Sequence, residues 1–307
     1  MVESSSRFSG RAAQGAVAVI INPISGGHRR GQAEARARLA TEAVRQHGDE
    51  PRVFVTERAG HAHDLAHRAA YEGVRLVIAW GGDGTINEAA SGLVFQDVPL
   101  AIIPAGSGNG LARELGVPHD PRRAIAAALK AEARPMDVGE IEGRYFVNLT
   151  GIGLDAHVAA RFNAPDNLRR GLRGYVAIIG RALLHYVPQR YRITIDGRQV
   201  ERTAILVSIA NSPQFGNGAR IAPAAKLDDG MLDLVTIEER SRWVTVRNLH
   251  RLFNSTVDRV PGCTIERGSR FIVEADGPMT FHVDGEPVEG GTRLRARVHP
   301  RALRICA

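Results

Sequence analysis

Four short apolar runs, each followed by a turn and a helical stretch, constrain the first half of this chain more than any other feature. Val17-Ala18-Val19-Ile20-Ile21 leads into Asn22-Pro23-Ile24-Ser25-Gly26-Gly27. A helical stretch follows to about His47, with Leu39, Ala43 and Val44 at helical spacing and Gly48 as a stop. Val53-Phe54-Val55 and a helix from Gly60 to Tyr71 repeat the unit. Leu76-Val77-Ile78-Ala79 ends in Gly81-Gly82-Asp83-Gly84-Thr85 before a helix to about Leu93. Leu100-Ala101-Ile102-Ile103 ends in Pro104-Ala105-Gly106-Ser107-Gly108-Asn109-Gly110, with a helix from about Gly108. Strands without polar alternation are covered on both faces, and strands separated by helices pair in parallel. The reading is an open, doubly wound α/β domain.

The pattern changes near Pro135. Strand-like segments then dominate: Tyr145 to Leu149, Tyr191 to Ile195, Ile205 to Ile209, Leu232 to Ile237, Phe271 to Glu274, Phe281 to Val283 and Leu294 to Val298. Asp196-Gly197, Asp229-Gly230, Asp276-Gly277 and Asp284-Gly285 supply turns. With 307 residues there is chain for two domains. The second reads as a β-sandwich or flattened barrel, interrupted by helical insertions around Leu172 to Tyr186 and Arg242 to Phe253.

Composition narrows the partners only slightly. The net charge of +7 favours anionic ones, but only Lys130 and Lys226 among the 40 basic residues are lysine. So strong a bias toward arginine reflects coding preference as readily as phosphate chemistry, and most arginines are expected at the solvated surface. Cys263 and Cys306 make no disulfide framework, which fits a reduced, cytoplasmic compartment. The start has no signal-peptide pattern, and no apolar run of roughly 18 residues offers a membrane span. Any membrane contact is therefore peripheral. Leu172, Tyr175, Val176, Ile179, Leu183 and Tyr186 recur at helical spacing beside Arg169, Arg170, Arg173 and Arg181, as either a basic membrane-facing helix or a core-covering one. His61, His63 and His67 include an i, i+4 pair that could bind a metal, but with no carboxylate pattern beside it a solvated helix face is the favoured reading.

Chemistry concentrates in the glycine-rich turns. In Gly81 to Glu88, glycines let backbone N–H groups converge on an anion, and the following helix adds its positive end. Thr85 adds a hydroxyl, and Asp83 could hold Mg²⁺, orient reacting groups or cap the helix. Ala105 to Gly110 repeats the placement on the next strand, so both turns border one crevice. Asn22 to Gly27, with Arg29 and Arg30 just beyond, is a third wall or a plain Pro–Gly turn. None of these is a Walker A loop or a GxGxxG fingerprint. Taken alone, Asp284-Gly285-Glu286 reads as a hairpin turn. Asp228, Asp229 and Asp233 read as an acidic loop that also has the hard oxygens Mg²⁺ requires.

Five segments occur in order: Asn22-Pro23-Ile24-Ser25-Gly26, Gly81-Gly82-Asp83-Gly84-Thr85, Pro104-Ala105-Gly106-Ser107-Gly108-Asn109, Pro223 to Asp233, and Val283-Asp284-Gly285-Glu286. The set resembles the soluble lipid kinases with a diacylglycerol-kinase catalytic domain, which include bacterial diacylglycerol kinases, sphingosine kinases and ceramide kinases. The resemblance runs from about Val17 to Ile305. Gly-Gly-Asp-Gly-Thr by itself is shared with NAD kinases and phosphofructokinases.

The resemblance implies ATP-dependent phosphorylation of a lipid hydroxyl in a cleft between an α/β domain, residues 1–139 and 297–307, and a β-rich lipid-binding domain, residues 140–296. By position it implies that Asn22, Ser25, Thr56, Gly81, Gly82, Asp83, Gly84, Thr85, Asn87 and Ser107 line the ATP site. Glu286, with Asp83, would be catalytic, Glu286 as the general base. Asp229, with the carbonyls of Lys226 and Met231, would hold a structural Mg²⁺. ATP, Mg²⁺ and a lipid at a membrane surface are the implied partners; no nucleic acid is expected, and a homodimer stays open. One departure stands out: many bacterial diacylglycerol kinases carry Asn-Asp where this chain has Asn109-Gly110. The acceptor is therefore diacylglycerol or a related lipid, a sphingoid base included. A NAD kinase and a catalytically lapsed nucleotide-binding regulator are the alternatives on the same fold.

Overall fold

The computed structural model describes residues 15–27, 31–163, 178, 180–182, 186–216, 218–238, 244 and 247–307. The first half runs β1 (Ala16–Ile21), α1 (Gln32–His47), β2 (Glu50–Val55), α2 (His61–Tyr71), β3 (Leu76–Gly81), α3 (Asp83–Leu93), β4 (Leu100–Pro104), α4 (Gly110–Glu114) and α5 (Pro121–Lys130). The four strands pair in parallel in the order β2-β1-β3-β4. Alternate residues serve opposite cores. Val17, Val19, Ile21, Leu76 and Ile78 meet α1 and α5, whereas Ala18, Ile20, Val77, Ala79 and Ile102 meet α2 and α3. Burial on both faces is why these strands are apolar without a break.

Local chemistry sets the helix ends. Gly48 closes α1 in a left-handed conformation (φ 97°), its N–H on the carbonyls of Val44 and Arg45. The helix expected from about Gly108 divides in two. Five-residue α4 ends before Gly116 (φ 69°), and α5 restarts where Asp120 accepts from Arg123 N and Pro121 occupies the first turn.

The second half runs β5 (Arg134–Ile141), β6 (Arg144–Phe146), β7 (Leu149–Gly153), α6 (Leu154–Asn163), β8 (Gln189–Ile195), β9 (Arg198–Ala204), β10 (Leu206–Ala210), β11 (Gln214–Gly216), β12 (Ala219–Arg220), β13 (Leu232–Ile237), β14 (Cys263–Gly268), β15 (Arg270–Ala275), β16 (Thr280–Val283), β17 (Glu286–Glu289) and β18 (Arg293–Cys306). A six-stranded sheet, β14-β13-β10-β7-β16-β17, faces the β18-β15-β8-β9 part of a ten-stranded sheet. Tyr191, Phe271, Phe281, Ile193, Val207 and Leu234 fill the sandwich between them. The strand expected over Tyr145 to Leu149 is broken, because the N–H groups of Val147, Asn148 and Leu149 turn to the Asp284 carboxylate.

Strand β18 joins the two halves. It is antiparallel to β15 and β5, and its last residues run parallel to β4, Ile305 beside Leu100 and Cys306 beside Ala101. The parallel sheet thus continues without a seam into the sandwich. Of the amphipathic stretch at 169–186, residues 169–177, 179 and 183–185 lie outside the described residues, as do 239–243 and 245–246 near the other expected insertion. The described part of the latter contains the 3₁₀ turns Leu249–Leu252 and Val257–Arg259.

Candidate active site

The carboxyl ends of β1, β3 and β4 lie side by side, since Asn22 N donates to Trp80 O and Ala105 N to Gly81 O. Chain order reverses between β1 and β3, so their loops flank the topological switch point where open α/β sheets bind ligands. Thr56, buried at the end of β2, donates its N–H to Ile21 O and closes the row.

Arg36 of α1 organises the first loop. Its guanidinium donates to Asn22 O (2.8 Å), Ser25 Oγ (3.1 Å) and Ser25 O (2.8 Å), and lies 5.5 Å from the Trp80 ring centroid. Burial lowers its pKa. Asn22 Nδ2 donates to Thr85 Oγ1 at 2.8 Å, tying the first loop to the start of α3. Ser25 and Asn22 are therefore brought together with Thr85, by an arginine that no local motif had flagged.

The glycines are needed for close approach. A Cβ on Gly106 would stand 2.7 Å from Gly82 Cα, so the second and third loops touch backbone to backbone. A Cβ on Gly108 would stand 2.6 Å from Asp83 Oδ2. Helix α3 starts at Asp83 after Gly82, which as glycine has no side chain to cap the leading N–H groups. Exposed Ser107 sits at the tip of the third loop.

Gly81 has the least room. An added Cβ would lie 2.4 Å from Thr85 Cβ and 2.6 Å from Thr85 Oγ1. Thr85 cannot withdraw without losing Asn22. Gly81→Ala is therefore expected to destabilise the fold by roughly 1–3 kcal/mol and to weaken nucleotide binding. Thermal unfolding with an ATP titration checks both, and wild-type values for both would contradict this packing.

The Asp83 carboxylate engages its own main-chain N–H and two amides of the third loop. Its Oδ2 accepts from Asn109 N (2.8 Å) and its Oδ1 from Gly110 N (2.7 Å), while burial raises its pKa despite those bonds. It thus braces the third loop and the start of α4. Asn109, left-handed at φ 50°, closes that loop on itself through both main-chain groups of Gly106. The Gly110 backbone faces Asn148, where an added Cβ would lie 3.5 Å from Asn148 Nδ2, in ordinary contact.

Opposite the α3 start stands the β16–β17 hairpin. Asp284 (φ 46°) and Gly285 (φ 93°) form its two-residue turn, as positive φ at both central positions requires. The Asp284 carboxylate is enclosed although the turn itself keeps some exposure. It accepts from Val147 N (2.8 Å), Asn148 N (2.9 Å), Leu149 N (2.9 Å) and Asn87 Nδ2 (2.8 Å). Asn87 also donates to Tyr145 O, so it serves the junction of the two halves. Glu286, first residue after the turn, hangs over α3 with Oε1 3.4 Å from a Cβ built on Gly84. Its pKa is raised, first by loss of solvent and then by the negative charge of Glu88. Glu88 itself accepts from Gly60 N and Ala62 N at the start of α2.

The Pro223 to Asp233 segment is held elsewhere. Asp137 accepts from Gly230 N (2.6 Å) and Arg301 N (2.7 Å), docking it on β18. Asp229 accepts from Met231 N and pairs with Arg267, which also lies 3.8 Å from Asp233. Lys226, Asp229 and Met231 therefore supply one carboxylate, already neutralised by a guanidinium. Among the described residues no three acidic, histidine or cysteine side chains cluster as a metal site. The implied set adds only the main-chain carbonyls of Lys226 and Met231 to the Asp229 carboxylate.

Residues 16–141 match the diacylglycerol kinase catalytic domain, and residues 148–307 match the YegS C-terminal NAD kinase beta sandwich-like domain. A Pseudomonas aeruginosa (strain PAO1) protein described as a probable lipid kinase YegS-like is 33% identical over 291 residues, covering 91% of each chain. A diacylglycerol kinase of Bacillus subtilis (strain 168) is 31% identical over 276 residues, covering 87% of this chain and 88% of its own. A crystal structure of a diacylglycerol kinase from Bacillus anthracis str. Sterne shares the fold, with a TM-score of 0.73 at 22% identity over 94% of this chain and 96% of that chain.

Proposed function

The chain belongs to the diacylglycerol kinase catalytic-domain family and is a lipid kinase, and on that premise we propose that it moves the γ-phosphoryl group of ATP·Mg²⁺ to a hydroxyl of diacylglycerol or a related lipid, with Glu286 as general base. The observation that carries this reading is the Glu286 carboxylate standing over Gly84 in the first turn of α3. Phosphoryl transfer asks a protein mainly for positioning and for stabilisation of phosphate charge. The loops at 22–27, 81–85 and 105–110 border the phosphate position where β1, β3 and β4 end. Mg²⁺ arrives with the nucleotide as part of the substrate. The lipid oxygen forms its bond to the γ-phosphorus, the bond from that phosphorus to the β-bridging oxygen breaks, and Glu286 takes the hydroxyl proton as ADP leaves. Asp83, engaged at both oxygens, acts by holding the third loop. Among the described residues no helix is long and apolar enough to cross a membrane, and the enzyme meets its lipid at the membrane surface.

The acceptor is tested by comparing kcat/KM across diacylglycerol, sphingoid bases and ceramide with folded protein. A preference for diacylglycerol is expected; activity on NAD alone would overturn the reading.

The raised Glu286 pKa has a kinetic consequence. A base works only when ionised, so kcat/KM falls as pH drops through its pKa. Glu88→Gln removes the neighbouring charge that helps to raise that pKa. The acid limb of the pH profile is therefore expected to move to lower pH. A limb that stays in place would remove Glu88 from this account.

A further inference from the structure

Beneath the Glu286 hairpin lies a buried ionisable pair that the chemistry above does not use. Asp155, in the first turn of α6, and His282, on β16, have side chains only 1% and 3% exposed. Their facing atoms, Asp155 Oδ2 and His282 Nε2, are 3.1 Å apart. Oδ2 makes no hydrogen bond among the described residues, so His282 Nε2, at ion-pair distance, is the polar group offered to it. The neighbouring strand makes room for them. Gly151 of β7 lies across from His282, and a Cβ there would fall 1.9 Å from Asp155 Oδ2 and 2.7 Å from His282 Nε2. No other residue leaves space for both groups.

The far side of the imidazole contacts the hairpin turn. His282 Nδ1 accepts from Gly285 N at 3.1 Å, and Gly285 directly precedes Glu286. An Nδ1 that accepts carries no proton, so the ring proton sits on Nε2, toward Asp155. Carboxylate, imidazole and turn amide thus lie in one line of close contacts that ends a residue before Glu286. Asp284 already anchors the turn, its carboxylate accepting four hydrogen bonds and its N–H donating to Leu149 O. His282 adds a separate hold on Gly285, the residue from which the chain passes to Glu286. Burying an unsupported carboxylate is costly, and an apolar pair would pack the same space without that cost.

We propose that Asp155 and His282 are positioning residues for Glu286, the carboxylate fixing the imidazole tautomer and the imidazole fixing the Gly285 amide. The inference rests on the reading of Glu286 as general base. An error of about 1 Å in a reacting group costs on the order of a hundredfold in rate, so a partial loss of aim is expected to cost about tenfold.

The test is a kinetic cycle on the full chain, with thermal unfolding in parallel, using His282→Leu, His282→Asn, Asp155→Asn and Asp155→Asn/His282→Leu. His282→Leu and Asp155→Asn should each lower kcat about tenfold, with the KM for ATP within about twofold. In His282→Asn the amide oxygen can replace Nδ1 as acceptor, and most of the lost kcat should return. Because one residue acts through the other, Asp155→Asn should add less than about twofold in the His282→Leu background. Multiplicative losses, or losses that appear in the lipid KM with kcat intact, would overturn the proposal. If His282→Leu does not fold, wild-type kcat in Asp155→Asn overturns it alone. Glu286→Gln run alongside separates the two readings. Full activity there removes the base, whereas an inactive Glu286→Gln beside fully active pair variants removes only the positioning role.

Discussion

Glu286→Gln is expected to lower kcat by about 10²- to 10⁴-fold while ATP affinity changes little. The amide keeps the shape of the side chain and its place over Gly84. It cannot take a proton. The transition state of phosphoryl transfer is loose, so much of the barrier is met by orientation and phosphate-charge stabilisation, which the substitution leaves alone. The fall is therefore expected near the lower end of that range, and in kcat rather than in the KM for ATP. Steady-state kinetics with saturating lipid checks it. A variant with wild-type kcat would reject the base assignment, and a loss confined to ATP binding would move Glu286 into the nucleotide site.

Asp284→Asn is expected to be the most destabilising conservative change in the site. Asparagine tolerates the left-handed φ of 46° at this position, so the backbone need not move. The carboxylate, however, now accepts from three backbone N–H groups and from Asn87 Nδ2. An amide offers one oxygen and turns N–H groups toward the remaining donors. Unsatisfied buried donors cost about 1–3 kcal/mol each, so a loss of roughly 3–5 kcal/mol is expected, within the range for breaking a buried charged network. Such a loss is a large share of the 5–15 kcal/mol typical of a domain. Activity should fall with it, because these bonds fix Glu286 against α3 and against the connection between the two halves. Denaturant unfolding decides the matter; a change below about 1 kcal/mol would mean that Asp284 does not carry the junction.

Much of the fold was legible because burial leaves a period in the sequence. Strands β1, β3 and β4 are covered on both faces, so Val17 to Ile21, Leu76 to Ala79 and Leu100 to Ile103 stand out as unbroken apolar runs. Strand β9 was not legible. Arg198 to Ala204 lies at the sheet edge, carries Glu201 and Arg202, and is mostly exposed, as an edge strand that resists further pairing should be. Strands β5 and β14 were hidden by similar polarity, and α6 by its short, mixed sequence.

The site divides in the same manner. Glycine turns and the Asp-Gly hairpin announce themselves locally, because positive φ and close backbone approach restrict the residue type. What the acidic side chains do depends on partners far along the chain. Asp83 reaches residues 109 and 110, whereas Asp284 reaches residues 147 to 149 and Asn87. Neither spacing is a motif. Arg36 was lost among many arginines, and only its contacts with Asn22, Ser25 and Trp80 single it out.

Transfer of label from ATP to lipid by the purified wild-type chain tests the central claim most directly, with diacylglycerol, a sphingoid base, ceramide and NAD offered separately. The account predicts labelled phosphate on a lipid hydroxyl, foremost on diacylglycerol, and none on NAD. A folded, ATP-binding preparation that labels no lipid, or that labels NAD instead, would contradict it.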